Sequence, residues 1–271
     1  MSYKRDMGGP VEHHDLSELP SPNVDDIVSL LKSRIQSGIL YTGIGARTLV
    51  ALNPPSSSER SHEALMNEYL AEYKDTSGQC DRLPPHIFQV MTNAYLEMRR
   101  TGYDQVLLFS GETASGKSWN KGCALDMLNR IRESSKKESY ILSQVMNANF
   151  ILNAFGNAST IHNPNASRFG NYTEIQFSEK GRVIGAKILD YLLEKSRVTR
   201  VSQNESNFHA FRYLYNGITE EERKHLQLDS TNFHYLQGNA GANTAVQSEL
   251  GELPRYSVCL RPFSIWAMSI L

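Results

Sequence analysis

Residues 104–131 read "DQVLLFSGETASGKSWNKGCALDMLNRI", and the fold of the chain turns on how this stretch is parsed. Residues 104–110 form a short continuous apolar run ahead of a glycine, the pattern of a buried strand in a parallel sheet. Beyond Lys117, the residues Ala124, Leu125, Leu128 and Ile131 recur at helical spacing. Between the two, Gly111, Gly116, Lys117 and Ser118 satisfy GxxxxGK[ST] at a strand-to-helix junction, the context in which that motif is specific. Such a loop curls its backbone N–H groups around phosphate oxygens and adds the partial positive charge of a helix N-terminus. Gly111, Glu112, Thr113, Ala114, Ser115 and Gly116 are therefore candidates to cradle the phosphates of a nucleotide. Lys117 would reach its β- and γ-phosphates. Ser118 would give a hydroxyl to Mg²⁺, an ion that takes few protein ligands and relies on phosphate and water. The competing reading is a glycine turn that only joins strand to helix, and the flanks on both sides weigh against it.

Length and charge bound the rest. The chain has 271 residues, enough for one large domain or two small ones, and 28 basic against 29 acidic side chains. Near-neutrality gives no global drive toward nucleic acid or an acidic membrane surface. Cys80, Cys123 and Cys259 are far apart and form no CxxC pair, which argues against a disulfide framework or a zinc site and for a reducing, cytoplasmic setting. In that setting the four Asn-x-Ser/Thr triplets at Asn157, Asn165, Asn171 and Asn204 carry no glycosylation. The final apolar run is shorter than the roughly 20 residues a bilayer requires, so no membrane segment is expected in this chain.

Three regions follow from composition. Residues 1–23 are polar and proline-containing and are expected to be a flexible leader. From Val24 a helix is expected, with Asp25 as its cap and Ile27, Leu30, Leu31 and Ile35 near helical spacing. "TLVALNPP" (48–55) reads as a strand ended by proline, and the stretch on to Gly78 as loop with a short helix. "PPHIFQVMTNAYLEMRRTG" (84–102) reads as a helix with Ile87, Val90, Met91, Ala94 and Tyr95 on one face and Gly102 ending it. A helix is expected at "QVMNANFILNAFGNA" (144–158), and a hairpin turning at Glu179-Lys180-Gly181. After Gly238 the composition changes to small and polar, then abruptly apolar.

A second polar constellation, Asn163, Asn165, Ser167 and Arg168, precedes the first strand of that hairpin. By spacing alone it reads equally well as a solvated turn or as a loop closing over a nucleotide.

The two loops in this order, with these neighbours, resemble the myosin motor head. "GETASGKS" (111–118) is similar to the family's GESGAGKT, and "NANFILNAFGNASTIHNPNASRFGNYTEIQF" (147–177) resembles its helix leading into the switch I loop. "GAKILDYLLEKSRV" (185–198), "TLVALNP" (48–54), "PPHIFQVMTNAY" (84–95) and "SQNESNFHAFRYLYNGITEEERKHLQL" (202–228) extend the likeness. Within the family, "LYTGIGARTLVALNP" (40–54) and "RRTGYDQVLLFSGET" (99–113) resemble the myosin-like heads fused to fungal chitin synthases.

The resemblance covers residues 24–238 and implies an α/β P-loop NTPase fold, a myosin-head-like mixed central sheet flanked by helices and here incomplete. It implies ATP and Mg²⁺ as cofactors, with Lys117 and Ser118 in the P-loop roles, Asn163 near the phosphates, Ser118 and Ser167 as Mg²⁺ ligands, and Arg168 as the switch I arginine. It further implies actin-based movement with F-actin as partner, a cytoskeletal location, and, for a full-length relative, a fused chitin synthase region at the plasma membrane or on vesicles. Residues 239–271 are expected to be an unrelated tail of the kind a wrong gene model leaves.

The chain departs from the family pattern in three places. No DxxGFE segment, the family's switch II, follows the second loop; the DxxG at Asp75 to Gly78 precedes the P-loop. Arg168 is thereby left without a recognisable partner. Ala166 stands where the family has a serine, and Pro55 where an aromatic is common. Loss of one oriented donor costs on the order of 10²–10³ in rate, and loss of switch II removes the group that orients water. These departures weaken hydrolysis more than binding. Ala166 and the altered loop at Pro55 also support a different reading, a targeting head of a membrane-bound glycosyltransferase in which ATP turnover is dispensable. A small-molecule kinase would need an acceptor pocket and an arginine-bearing lid, for which the sequence gives no sign.

Overall fold

The computed structural model describes residues 15–19, 23–53, 62–74, 83–131, 136–217 and 219–227. Most of the expected leader and all of the expected tail lie outside these residues. The chain divides into two compact units, residues 1–134 with 179–181, and residues 135–178 with 182–271.

In the first unit, Leu16–Glu18 form a single 3-10 turn capped by Asp15. The Asp15 carboxylate also accepts the Gly45 N–H at 3.0 Å, so this part of the leader is anchored. Helix α1 spans Val24–Gln36. Its cap is Asn23 rather than the expected Asp25, because Asn23 has extended backbone and its side chain accepts the Asp26 N–H at 2.8 Å. Strands β1 (Tyr41–Ile44) and β2 (Thr48–Ala51) pair antiparallel, Tyr41 opposite Ala51. Arg34 is buried beneath them and donates to the Tyr41 carbonyl at 3.1 Å.

Helices α2 (His62–Lys74), α3 (Ile87–Thr101) and α4 (Lys117–Ile131) build the core of this unit. Helix α2 is longer than the short helix expected in the stretch before Gly78. Gly102 ends α3 as expected, at φ 74° with its N–H on the Met98 carbonyl, a left-handed position that glycine takes without penalty. Met66 and Tyr69 from α2, Ile87 and Phe88 from α3, and Cys123, Ala124 and Met127 from α4 are buried together. The buried stripe of α4 thus runs through Cys123 and Met127 as well as the expected Ala124 and Leu128, while Leu125 is only partly covered.

Residues 104–110 correct one expectation. They join no strand ladder, and Val106 and Leu108 are 81 % and 88 % exposed. Leu107 and Phe109 pack on the core cluster, so alternate side chains are covered and the others are open. A strand buried on both faces needs neighbours on both edges, and among the described residues none pairs with this run.

The second unit begins with α5 (Lys136–Gly156) and continues through β3 (Asn157–Ser159), β4 (Ala166–Ser167), β5 (Gly170–Phe177) and β6 (Val183–Tyr191). Then follow α6 (Ser196–Thr199), β7 (Ser206–Phe208), α7 (His209–Gly217) and α8 (Glu220–His225). Strands β4, β3 and β7 form one small sheet in that order, and β5 and β6 form the expected hairpin, Gly170 opposite Tyr191. Helix α5 packs on β6 and α7. Its Glu138 is buried and accepts the Val183 N–H at 3.1 Å, while Phe150 stacks on Tyr213 at 5.8 Å between ring centres.

All strand ladders among the described residues are antiparallel and none exceeds three strands. The mixed central sheet implied by the resemblance therefore has no counterpart in them. The architecture they form is helices with small antiparallel sheets.

Candidate functional site

The loop at 111–116 lies in the first unit and leads into α4. Because α4 opens at Lys117, the N–H groups of its first turn have no intrahelical carbonyl partner and point toward the helix N-terminus, where the loop lies. Gly111 at φ 147° and Gly116 at φ 87° hold the curl; a Cβ on Gly111 would sit 2.6 Å from Ser115 Oγ. Ala114 adopts φ 65°, a left-handed conformation in which a non-glycine residue is strained.

That strain is held in place by neighbours. Asn53, just past β2, donates its side-chain N–H to the Ala114 carbonyl at 2.7 Å. Asn120 on α4 donates to the Gly116 carbonyl at 3.0 Å and accepts from the Tyr41 hydroxyl at 2.9 Å. The loop is thus braced from β1, from the end of β2 and from α4.

Inside the curl, Lys117 Nζ donates to the carbonyls of Gly111 and Glu112 at 2.7 and 2.6 Å. The ammonium lies across the loop mouth where an anion's charge would be met. Ser118 is exposed beside it, and Ser115 Oγ is buried without a hydrogen-bond partner. A positive ammonium, free first-turn amides and two glycines with no Cβ fit a chain of phosphates. Among the described residues no cluster of three His, Cys, Asp or Glu side chains could hold a metal ion by itself. A divalent cation here would draw its ligands from Ser118 and from the phosphates it accompanies.

Asn163, Ser167 and Arg168 lie in the second unit. Asn163 closes a tight turn with Thr160, whose N–H donates to the Asn163 carbonyl at 2.9 Å and whose hydroxyl accepts the Asn163 N–H at 3.1 Å. The Asn163 side chain accepts the Asn165 N–H at 3.0 Å, and Asn165 Oδ1 in turn accepts from Asn157 at 2.7 Å and meets His209 Nε2 at 3.1 Å. Burial, with the nearby Arg212 charge, pushes the His209 imidazole down to about 4. It is therefore neutral at pH 7 and serves the loop as a hydrogen-bonding strut. Ala166 is buried in β4, while Ser167 is exposed and donates to the Phe169 carbonyl at 3.1 Å.

Arg168 has a partner, which corrects the expectation that it lacks one. Its Nε lies 2.5 Å from Glu194 Oε2, and Arg197 Nε reaches the same oxygen at 3.1 Å. Partial burial opposes the charge on Glu194, but the two arginine hydrogen bonds outweigh it and hold the carboxyl below the usual carboxylate range. Sequence reading quoted the segment that contains Glu194 but assigned that residue no role. Asn53 was singled out only as part of an Asn-Pro pair; its contact with a loop 61 residues later has no local signature.

A family model described as myosin head (motor domain) matches residues 13–258. The chain belongs to the myosin head family. Chitin synthase 8 of Mycosarcoma maydis is 44% identical over 238 residues, 86% of this chain and 12% of that protein. Myosin IA heavy chain of Dictyostelium discoideum is 37% identical over 240 residues, 88% of this chain and 23% of that protein. Chitin synthase 5 of Cryptococcus neoformans is 50% identical over 156 residues, 56% of this chain and 8% of that protein. The myosin head resemblance read from the loops is thus borne out, and its relatives include both chitin synthases and myosins. This chain spans less than a quarter of the length of each of the three. No helix among the described residues is long and apolar enough to cross a membrane.

Proposed function

We propose that this myosin head segment binds Mg·ATP at the loop 111–118, as the nucleotide-binding part of a P-loop NTPase. The observation that carries the reading is the loop itself: a braced, strained curl with Lys117 bound across its mouth. Phosphate oxygens would replace the carbonyls of Gly111 and Glu112 as partners of Lys117 Nζ. The backbone amides of 111–116 and of the first turn of α4 would donate to the same oxygens. Magnesium would be held by Ser118 together with the phosphates themselves, and would supply neutralisation of their charge.

Hydrolysis and movement on F-actin are the activities that family membership suggests for a complete head. In this chain Ala166 offers no hydroxyl where the family pattern has one. We assign it binding first and turnover second. The mixed central sheet belongs to the same proposal: residues 104–110, extended and half-covered, are poised to be one of its strands once neighbours pair with them. The proposed setting is cytoplasmic and associated with the cytoskeleton.

A second reading is favoured by Ala166 together with the two chitin synthase relatives. The head would then place a fused chitin synthase region at its membrane, with ATP turnover dispensable. In a full-length relative carrying the counterpart of Lys117→Ala, correct placement would support this reading and lost placement would refute it.

The binding proposal is tested by titrating the chain with a fluorescent ATP analogue and Mg²⁺, beside Lys117→Ala. Saturable binding that the substitution abolishes is expected. A folded wild-type chain that fails to bind overturns the proposal.

A further inference from the structure

Arg212 stands in the first turn of α7 and is 5 % exposed, yet among the described residues neither of its terminal nitrogens has a hydrogen-bond partner. The other buried arginine of the second unit, Arg197, is paired twice, through Nε with Glu194 and through NH1 with Glu205. Burial lowers the Arg212 pKa, and no carboxylate of the described residues acts against that burial. A guanidinium nevertheless stays charged at neutral pH, and a buried charge left unpaired is strongly destabilising. The residue is built to meet an acceptor that the described residues do not supply.

Its surroundings favour negative charge. Helical side chains lean toward the N-terminus of their helix, so Arg212 is directed back over the turn that opens at His209. Burial and then the Arg212 charge push the His209 imidazole down, which places these two groups together. Helix α7 spans nine residues with no acidic side chain in its first turn, and its first-turn amides and dipole favour an anion at this end. Ser206 Oγ, on the strand that runs directly into α7, is likewise buried with no hydrogen-bond partner.

We propose that Arg212 and the N-terminus of α7 form a binding site for one small oxyanion, a carboxylate or a phosphate. The two terminal nitrogens of the planar fork match two oxygens of such a group. A guanidinium so nearly covered admits an anion of a few atoms and excludes an extended ligand. The site lies wholly within the second unit and does not depend on the loop 111–118. Its occupant neutralises the unpaired charge and so stabilises the packing of α7 on α5, β3 and β7.

The test is the thermal midpoint of the full chain in a low-salt buffer, titrated separately with inorganic phosphate and with acetate, the latter standing in for a side-chain carboxylate. Wild type would be compared with Arg212→Met, which keeps the stem and removes the charge, and with Arg212→Lys, which keeps the charge and loses the fork. The wild-type midpoint is expected to rise saturably, by roughly 5–10 °C at a hundredfold excess over the half-saturating concentration. Arg212→Met should show no saturable rise, and Arg212→Lys should need about tenfold more anion, the loss of one charge-assisted hydrogen bond. Saturation by acetate alone would assign the site to a carboxylate, and saturation by phosphate alone to a free tetrahedral anion; either supports the inference. A wild-type midpoint that rises with neither anion would overturn it. So would an equal rise in Arg212→Met, which would mark a general salt effect, or, should that variant not fold, an unchanged half-saturating concentration in Arg212→Lys.

Discussion

Replacing Ala114 by glycine isolates the strain stored in the phosphate-loop candidate. Ala114 is exposed, sits at φ 65°, and its carbonyl accepts from Asn53, so the substitution removes a methyl group without touching the core. Left-handed backbone costs an L-residue about 1–2 kcal/mol that glycine does not incur. Against this, glycine adds unfolded-state freedom worth about 0.4–1 kcal/mol. The difference leaves Ala114→Gly more stable by about 0.5–1 kcal/mol, which shifts the midpoint of a domain this size by roughly 1–4 °C. Urea denaturation checks the sign, with a raised midpoint and an unchanged slope. In the Asn53→Ala background the gain should change, because the same carbonyl is no longer held and contacting residues couple. A loss of stability in Ala114→Gly larger than about 0.5 kcal/mol would refute the claim that this residue is strained.

Phe88 is fully buried among Met66, Tyr69 and Met127, and Phe88→Ala should cost about 3–5 kcal/mol, read as a lowered urea midpoint. His209 titrates near 4 in the folded chain because it is buried and lies near Arg212, against 6.5 when unfolded. As pH falls through 6.5 the unfolded chain takes the proton first, so stability is full above that pH and declines until about 4. At pH 5 this one group should remove about 2 kcal/mol relative to pH 8, and His209→Asn should flatten the slope. His86, pushed to about 3 by burial and by nearby His62, acts with the same sign and is the slope that remains.

The parts of this fold legible in the sequence are those fixed by neighbours along the chain. Gly102 after an amphipathic run ends α3 because left-handed backbone favours glycine there, and Glu179-Lys180-Gly181 between two alternating segments makes the β5–β6 hairpin. The cap of α1 was misplaced by two residues because Asn23 and Asp25 carry equivalent acceptors and only backbone geometry separates them. Residues 104–110 read as a buried strand because their apolar run is continuous, whereas only alternate side chains, Leu107 and Phe109, are covered. A strand's pairing belongs to its neighbours, and the described residues supply none. At the candidate site, the position of Lys117 and Ser118 at a loop-to-helix junction is legible from their spacing. The contacts that brace each loop are not: Asn53 reaches Ala114 across 61 residues and, in the second unit, Glu194 reaches Arg168 across 26, and neither contact leaves a periodic trace. The family resemblance supplied Arg168 but looked for its partner in a missing segment, and so passed over the carboxylate already beside it.

The central claim, that residues 111–118 receive the phosphates of Mg·ATP, is tested most directly by following their backbone amide resonances during addition of Mg·ATP. The account predicts saturable shifts concentrated at Gly111 through Ser118, absent in Lys117→Ala. Saturable shifts elsewhere with these amides unmoved, or the same shifts in Lys117→Ala, would contradict it.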